Sequence, residues 1–120
     1  MSIRIGIDAS SVKRLETIAK ENVRFRELVT QPSDKTSLEP NSYSNFSIIE
    51  ALFKALNCPT LFPLEEIRIL REGNSPPRIS LIGDLGECWK NYQFAVSVTH
   101  HEDLIIAVVV CFNLSIPILE

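Results

Sequence analysis

Residues 94–112, FAVSVTHHEDLIIAVVVCF, decide how the rest of the chain is read. Phe94 to Val98 and Leu104 to Phe112 are apolar runs of strand length flanking His100, His101, Glu102 and Asp103. Two such runs around a short polar stretch predict an antiparallel hairpin with a titratable tip. Leu104 to Phe112 is the longest apolar run, far short of the roughly 20 residues a membrane helix needs, so it reads as a buried strand and no membrane partner is expected.

Upstream, Glu66 to Leu70 and Arg78 to Ile82 read as a second hairpin around Gly73-Asn74-Ser75-Pro76-Pro77, with Gly83 to Tyr92 as a short helix. At the other end Ile3, Ile5 and Ile7 alternate with Arg4 and Gly6, which predicts a strand with its isoleucine face buried, ending near Asp8. Ser10 and Ser11 are good N-cap residues, and Val12, Leu15, Ile18 and Ala19 recur at helical spacing up to about Glu21. A short helical piece follows through Phe25 and Leu28, and residues 31–45, crowded with Pro32, Asp34, Pro40 and Asn41, read as a loop. Phe46, Ile49, Phe53 and Leu56 form the stripe of an amphipathic helix that Pro59 ends. Residues 113–120 contain Pro117 and are expected to be loosely held. A strand, then helices, then antiparallel hairpins make an α+β class, and 120 residues suit one domain over 1–120.

The composition, 45% hydrophobic and 22% charged with four Gly and seven Pro, is that of a globular protein. Cys58, Cys88 and Cys111 are far apart and form no CxxC pair or zinc set with His100 and His101, which suits a reducing, cytoplasmic setting. The N-terminal MSIRIGIDAS has an acid within ten residues and no apolar run of signal-peptide length. A net charge of −3 argues against a general nucleic-acid binder. Residues 1–30 nevertheless hold six Lys or Arg against four acids, so a face with Lys13, Arg14, Lys20, Arg24 and Arg26 suits an acidic protein partner or is an ordinary solvated helix surface.

Asp8 stands where a strand gives way to a turn, and Glu50 lies on the long helix, expected on the side away from Phe46, Phe53 and Leu56. Two carboxylates of this kind suit magnesium, which takes one or two protein carboxylates together with water and substrate phosphates. They equally suit a turn acid and a solvated helix acid. Lys54 follows Glu50 by four residues and shares its helix face, as an anion-binding charge or a surface ion pair. His100 can bind phosphate, relay a proton or simply be exposed. Gly6, Gly73 and Gly83 are isolated, so there is no P-loop or GxGxxG.

Three segments taken together resemble the holo-acyl-carrier-protein synthase branch of the 4′-phosphopantetheinyl transferases. Gly6-Ile7-Asp8 with Val12, Arg14 and Leu15 resembles the family's opening GID motif and first helix. FSIIEALFKAL, residues 46–56, resembles its metal-binding helix, and FAVSVTHHEDLIIAVVV, residues 94–110, its closing hairpin with a VSITH-type motif. The resemblance implies a 4′-phosphopantetheinyl transferase-like fold, with an antiparallel sheet of hairpins packed against a long amphipathic helix. It also implies transfer of the phosphopantetheine arm of coenzyme A to a serine of an apo acyl carrier protein, in a fatty-acid or specialised polyketide pathway.

By the same resemblance Asp8 and Glu50 are magnesium ligands, Glu50 and Lys54 are catalytic, and Lys54, Ser97 and His100 lie near bound coenzyme A. Arg14 and Arg24 then belong to the surface that meets the carrier protein, and the assembly is a homotrimer with sites between neighbouring subunits. The chain departs from the pattern where the family's helix begins Arg-Phe and carries Lys before its Glu, since those places hold Asn45-Phe46 and Ile49. Its Gly-Lys-Pro turn appears here as Ser75-Pro76-Pro77. These losses leave a second expectation open, a member that binds a carrier protein as scaffold or regulator without transfer.

Overall fold

The computed structural model describes residues 2–29, 40–57 and 64–113. In chain order these form β1 (Ser2–Ser11), α1 (Val12–Glu21), α2 (Val23–Val29), α3 (Pro40–Leu56), β2 (Ile67–Leu70) after a single 3-10 turn, β3 (Arg78–Leu81), α4 (Gly83–Cys88), β4 (Tyr92–His101) and β5 (Leu104–Asn113). The class is α+β, with α3 packed on the hairpins, as expected. Expectations for residues 31–39, Cys58, Pro59 and 114–120 lie outside the described residues.

β5 is the centre of a three-stranded antiparallel sheet of order β1-β5-β4, and β2 and β3 pair as a separate two-stranded hairpin. β1 runs against β5 from Ser2 opposite Asn113 to Ser11 opposite Leu104, and β4 from Tyr92 opposite Asn113 to His101 opposite Leu104. Along β5, Ile105, Ala107, Val109 and Cys111 are buried against α3, while Val108, Val110 and Phe112 point to the other face of the sheet.

The face of β1 is the reverse of the expectation. Ile3, Ile5 and Ile7 are 60%, 64% and 56% exposed, and it is the Arg4, Gly6, Asp8 and Ser10 side that meets α3. Gly6 explains why: a Cβ there would lie 1.9 Å from the carbonyl oxygen of Ala51, so strand and helix touch backbone to backbone. Such an approach needs small residues on the helix as well, and Ala51 and Ala55 supply them. β1 also continues past Asp8 to Ser11, because its pairing with β5 holds to Leu104.

The buried stripe of α3 is Ile48, Ala51, Leu52 and Ala55, with Ile49 and Leu56 on its flanks. Phe46 and Phe53 are only partly buried, so the helix is rotated from the expected stripe. It also begins at Pro40 rather than near residue 46, since proline in a first turn gives up no intrahelical hydrogen bond. A second cluster joins Leu15 and Ala19 of α1 to Tyr43 and Ile105, and the Phe25 and Phe46 rings meet at 5.3 Å beside it.

His100 and His101 are strand residues rather than hairpin tip; the turn is Glu102-Asp103, with Glu102 at φ 54°. Among the described residues no helix is long and apolar enough to cross a membrane.

Candidate functional site

Side chains two apart on a strand share a face, so β1 presents Asp8 and Ser10 together toward α3. Glu50 approaches from α3. The two carboxyl residues line one cavity of about 250 Å³, with Ser11 and Arg14 at its rim and Leu15, Ile18 and Phe46 as its apolar wall. Glu50 is thus on the same side of α3 as Phe46, one turn away, and not opposite to it. Burying the Ile48, Ala51, Leu52 and Ala55 stripe turns both residues to the cavity.

The Asp8 carboxylate is held at both oxygens. Ser10 Oγ donates to Oδ2 at 2.7 Å, and Lys54 Nζ stands 3.4 Å from Oδ1 while donating to the Ile7 carbonyl at 3.0 Å. Burial, and next the charge of Asp8, push the Glu50 carboxyl above the usual carboxylate range, with Lys54 opposing. The Asp8 and Glu50 carboxylates share one cavity, and a hard cation between such groups relieves their repulsion. Among the described residues no group of three or more His, Cys, Asp or Glu converges, so a cation in this cavity would find two protein carboxylates. That set fits magnesium sharing its coordination with phosphate and water.

The start of α1 is tied to the β4–β5 turn. Val12 N–H donates to the Asp103 carbonyl at 2.8 Å, Lys13 N–H to Asp103 Oδ1 at 3.0 Å, and Ser11 Oγ to Asp103 Oδ2. Ser11 Oγ also accepts from Arg14 N–H at 3.2 Å, so Ser11 is the cap and Ser10 is spare for Asp8.

Asp8, Glu50 and Arg14 meet within one chain, and Lys54 adjoins them. Ser97 does not: opposite Val108, which is opposite Ile7, it lies on the sheet face turned away from α3. His100 shares a row with Ile105 and Ser10, on the α3 side but one strand beyond β5, and is exposed. Arg24 is exposed on α2, outside the cavity lining. Sequence reasoning missed the pairing of Ser10 with Asp8, although their spacing on a strand carries it. It also missed Asp103, which no local signal reveals.

A family model described as 4′-phosphopantetheinyl transferase superfamily matches residues 4–109. No curated protein matches the chain. Among solved structures the chain is similar to Helicobacter pylori holo-[acyl-carrier-protein] synthase in complex with coenzyme A, at 27% identity and TM-score 0.74, covering 90% of this chain and 99% of that one. It shares the fold of the Neisseria meningitidis holo-[acyl-carrier-protein] synthase, at 21% identity, TM-score 0.76, and 92% and 98% coverage. A Chronobacterium ammoniagenes complex of the synthase with coenzyme A shares it too, at 16% identity, TM-score 0.77, and 94% and 98% coverage. With its cavity built from the opening strand and the long helix, and with the family match running over nearly the whole length, the chain belongs to the 4′-phosphopantetheinyl transferase superfamily, in its holo-acyl-carrier-protein synthase branch.

Proposed function

We propose that this chain is a cytoplasmic transferase that moves the 4′-phosphopantetheine arm of coenzyme A to a serine of an apo acyl carrier protein, with magnesium, in a fatty-acid or specialised polyketide pathway. The observation that carries the reading is the convergence of Asp8 and Glu50 on one cavity with Arg14 at its edge. Asp8 and Glu50 would hold magnesium, which when bound supplies charge neutralisation at the coenzyme A diphosphate.

The rest falls to side chains. Glu50 accepts the serine hydroxyl proton at its carboxylate, and its raised proton affinity suits a base. The serine oxygen forms a bond to the pantetheine-side phosphorus, the phosphorus–oxygen bond of the diphosphate breaks, and adenosine 3′,5′-bisphosphate leaves with the bond pair. Lys54, held at Asp8, places a positive charge beside that leaving group. Arg14 and Arg24 face an acidic carrier surface, and the apolar wall of the cavity excludes water.

Incubation with magnesium, coenzyme A and apo carrier protein, followed by intact mass, tests the transfer. The carrier should gain the phosphopantetheine mass, chelation should stop the gain, and Glu50→Gln should slow it about 100-fold or more. If no apo carrier gains the arm, the reading fails.

One observation favours the second reading, carrier binding without transfer. Ile49 and Asn45, at places where relatives of this pattern carry cations, are buried, and Asn45 Oδ1 accepts from Arg71 at 2.8 Å. Neither offers charge to a phosphate. Calorimetry separates the readings: tight magnesium-dependent binding of coenzyme A belongs to the transferase alone.

The exposed sheet face supports the expected homotrimer. Ile3, Ile5 and Ile7 lie in rows with Phe112, Val110 and Val108, and Gln93, Ala95 and Ser97 continue those rows on β4. An apolar sheet face of this extent suits burial against a second copy. Ser97 shares it, so a subunit contact there would bring Ser97 to a neighbour's site. Sedimentation should give the mass of a trimer and, for Ile5→Lys, that of a monomer; a monomeric parent protein overturns the assembly.

A further inference from the structure

Ser10 takes no part in capping α1, because Ser11 does that work, yet it is only 9% exposed and its hydroxyl donates to Asp8 Oδ2 at 2.7 Å. A carboxylate on one rotatable bond has a broad, two-fold torsional well and would otherwise sample many planes. Ser10 removes that freedom from one side of Asp8, and Lys54 Nζ stands at the other oxygen, 3.4 Å away. The two contacts differ in kind. Lys54 is a cation with its side chain 55% exposed, reaching Asp8 from another element, whereas Ser10 is a nearly buried neutral group on the same strand as Asp8.

Resting on the reading of Asp8 and Glu50 as a divalent cation site, we infer that Ser10 is the positioning residue of that site, a hydroxyl that holds the plane of the Asp8 carboxylate toward Glu50. A neutral donor is the suitable partner for a ligating carboxylate. It satisfies a lone pair without adding a positive charge that would compete with the bound cation, and it remains in place when Lys54 is displaced. Its effect is on cation affinity through Asp8, the carboxylate to which its hydroxyl donates.

The test uses Mn²⁺ as the probe, with free ion counted by electron paramagnetic resonance, with and without coenzyme A. Ser10→Ala should weaken Mn²⁺ binding about 10-fold, the lower end of what losing the hydrogen-bond partner of a metal ligand does. Ser10→Thr, which keeps the hydroxyl, should stay within about 2-fold of the parent. In transfer assays the metal concentration for half-maximal rate should rise for Ser10→Ala, with KM for carrier protein unchanged. If Ser10→Ala fails to fold, Ser10→Cys, nearly isosteric but a weak donor, makes the same comparison. Equal Mn²⁺ affinity in Ser10→Ala and parent overturns the inference while leaving the cation site standing, and so does a Ser10→Thr as weak as Ser10→Ala. A parent protein that takes up no Mn²⁺ under either condition overturns the cation site and Ser10's role together.

Discussion

The Asp103 carboxylate accepts a hydrogen bond from the Lys13 backbone N–H at 3.0 Å, across 90 residues of chain. With the Ser11 hydroxyl on its other oxygen, it ties the first turn of α1, and so Arg14, to the turn that closes the β4–β5 hairpin. Ser11→Ala should cost about 1 kcal/mol of stability, the usual loss for a helix cap. Urea unfolding measures it.

The same clasp sets an acid limit. The Ser11 hydroxyl, then the Lys13 N–H and charge, hold the Asp103 carboxyl below its usual range. A depressed carboxylate contributes stability that is present above its unfolded pKa and is lost as pH falls through the folded value. Asp103→Asn should therefore lower the thermal midpoint at neutral pH, and the gap to the parent should close at the acid end of that window. A gap constant with pH would remove Asp103 from the account.

Glu50 behaves in the opposite sense. Its raised carboxyl favours the proton in the folded state, so its contribution is most favourable below the unfolded carboxylate range and is lost as pH rises through the folded value. Glu50→Gln, proposed above to slow transfer, should then stabilise the metal-free protein at neutral pH. Solvent screening of a partly exposed group keeps the gain to about 2 °C in the midpoint. Thermal melts in chelator at several pH values check both the sign and its disappearance in acid.

Gly6 admits no side chain. Gly6→Ala places a methyl against the Ala51 carbonyl and the Ala55 amide, backbone that cannot rotate away. A loss of about 3 kcal/mol, at the upper end for overpacking, is expected. Because the clash parts β1 from α3, it also separates Asp8 from Glu50. Denaturant midpoints and Mn²⁺ uptake should fall together.

Ser47 Oγ is buried within α3 and has no hydrogen-bond partner among the described residues. Such a hydroxyl carries a desolvation cost without return, so Ser47→Ala should be neutral or stabilising by about 1 kcal/mol. A clear loss in urea unfolding would mean that the hydroxyl is satisfied in solution.

Much of this is legible in the sequence, and the two faces it misassigns share one cause. The Leu104 to Asn113 strand was read almost to the residue, because an apolar run of strand length bounded by polar residues is a local signal. The α1 boundaries were legible for the same reason, a serine cap followed by a 3.6-residue repeat. The isoleucines of β1 read as core because alternation reveals two faces without saying which one meets the helix. Here a glycine decides. The stripe of α3 was misplaced similarly, since large aromatics at Phe46 and Phe53 outweigh small alanines in any hydrophobic count, although it is the alanines that let the strand approach.

The chain's own order of residues determined the α+β class, the two hairpins, the long helix and the identity of the acids that meet in the cavity. Only the tertiary structure decided that Glu50 turns toward Phe46 and Asp8, that Ser10 rather than a cap position serves Asp8, and that Asp103 holds α1. Periodicity is a property of neighbours in sequence, whereas the sense of a face and the company of a carboxylate depend on contacts between segments more than forty residues apart.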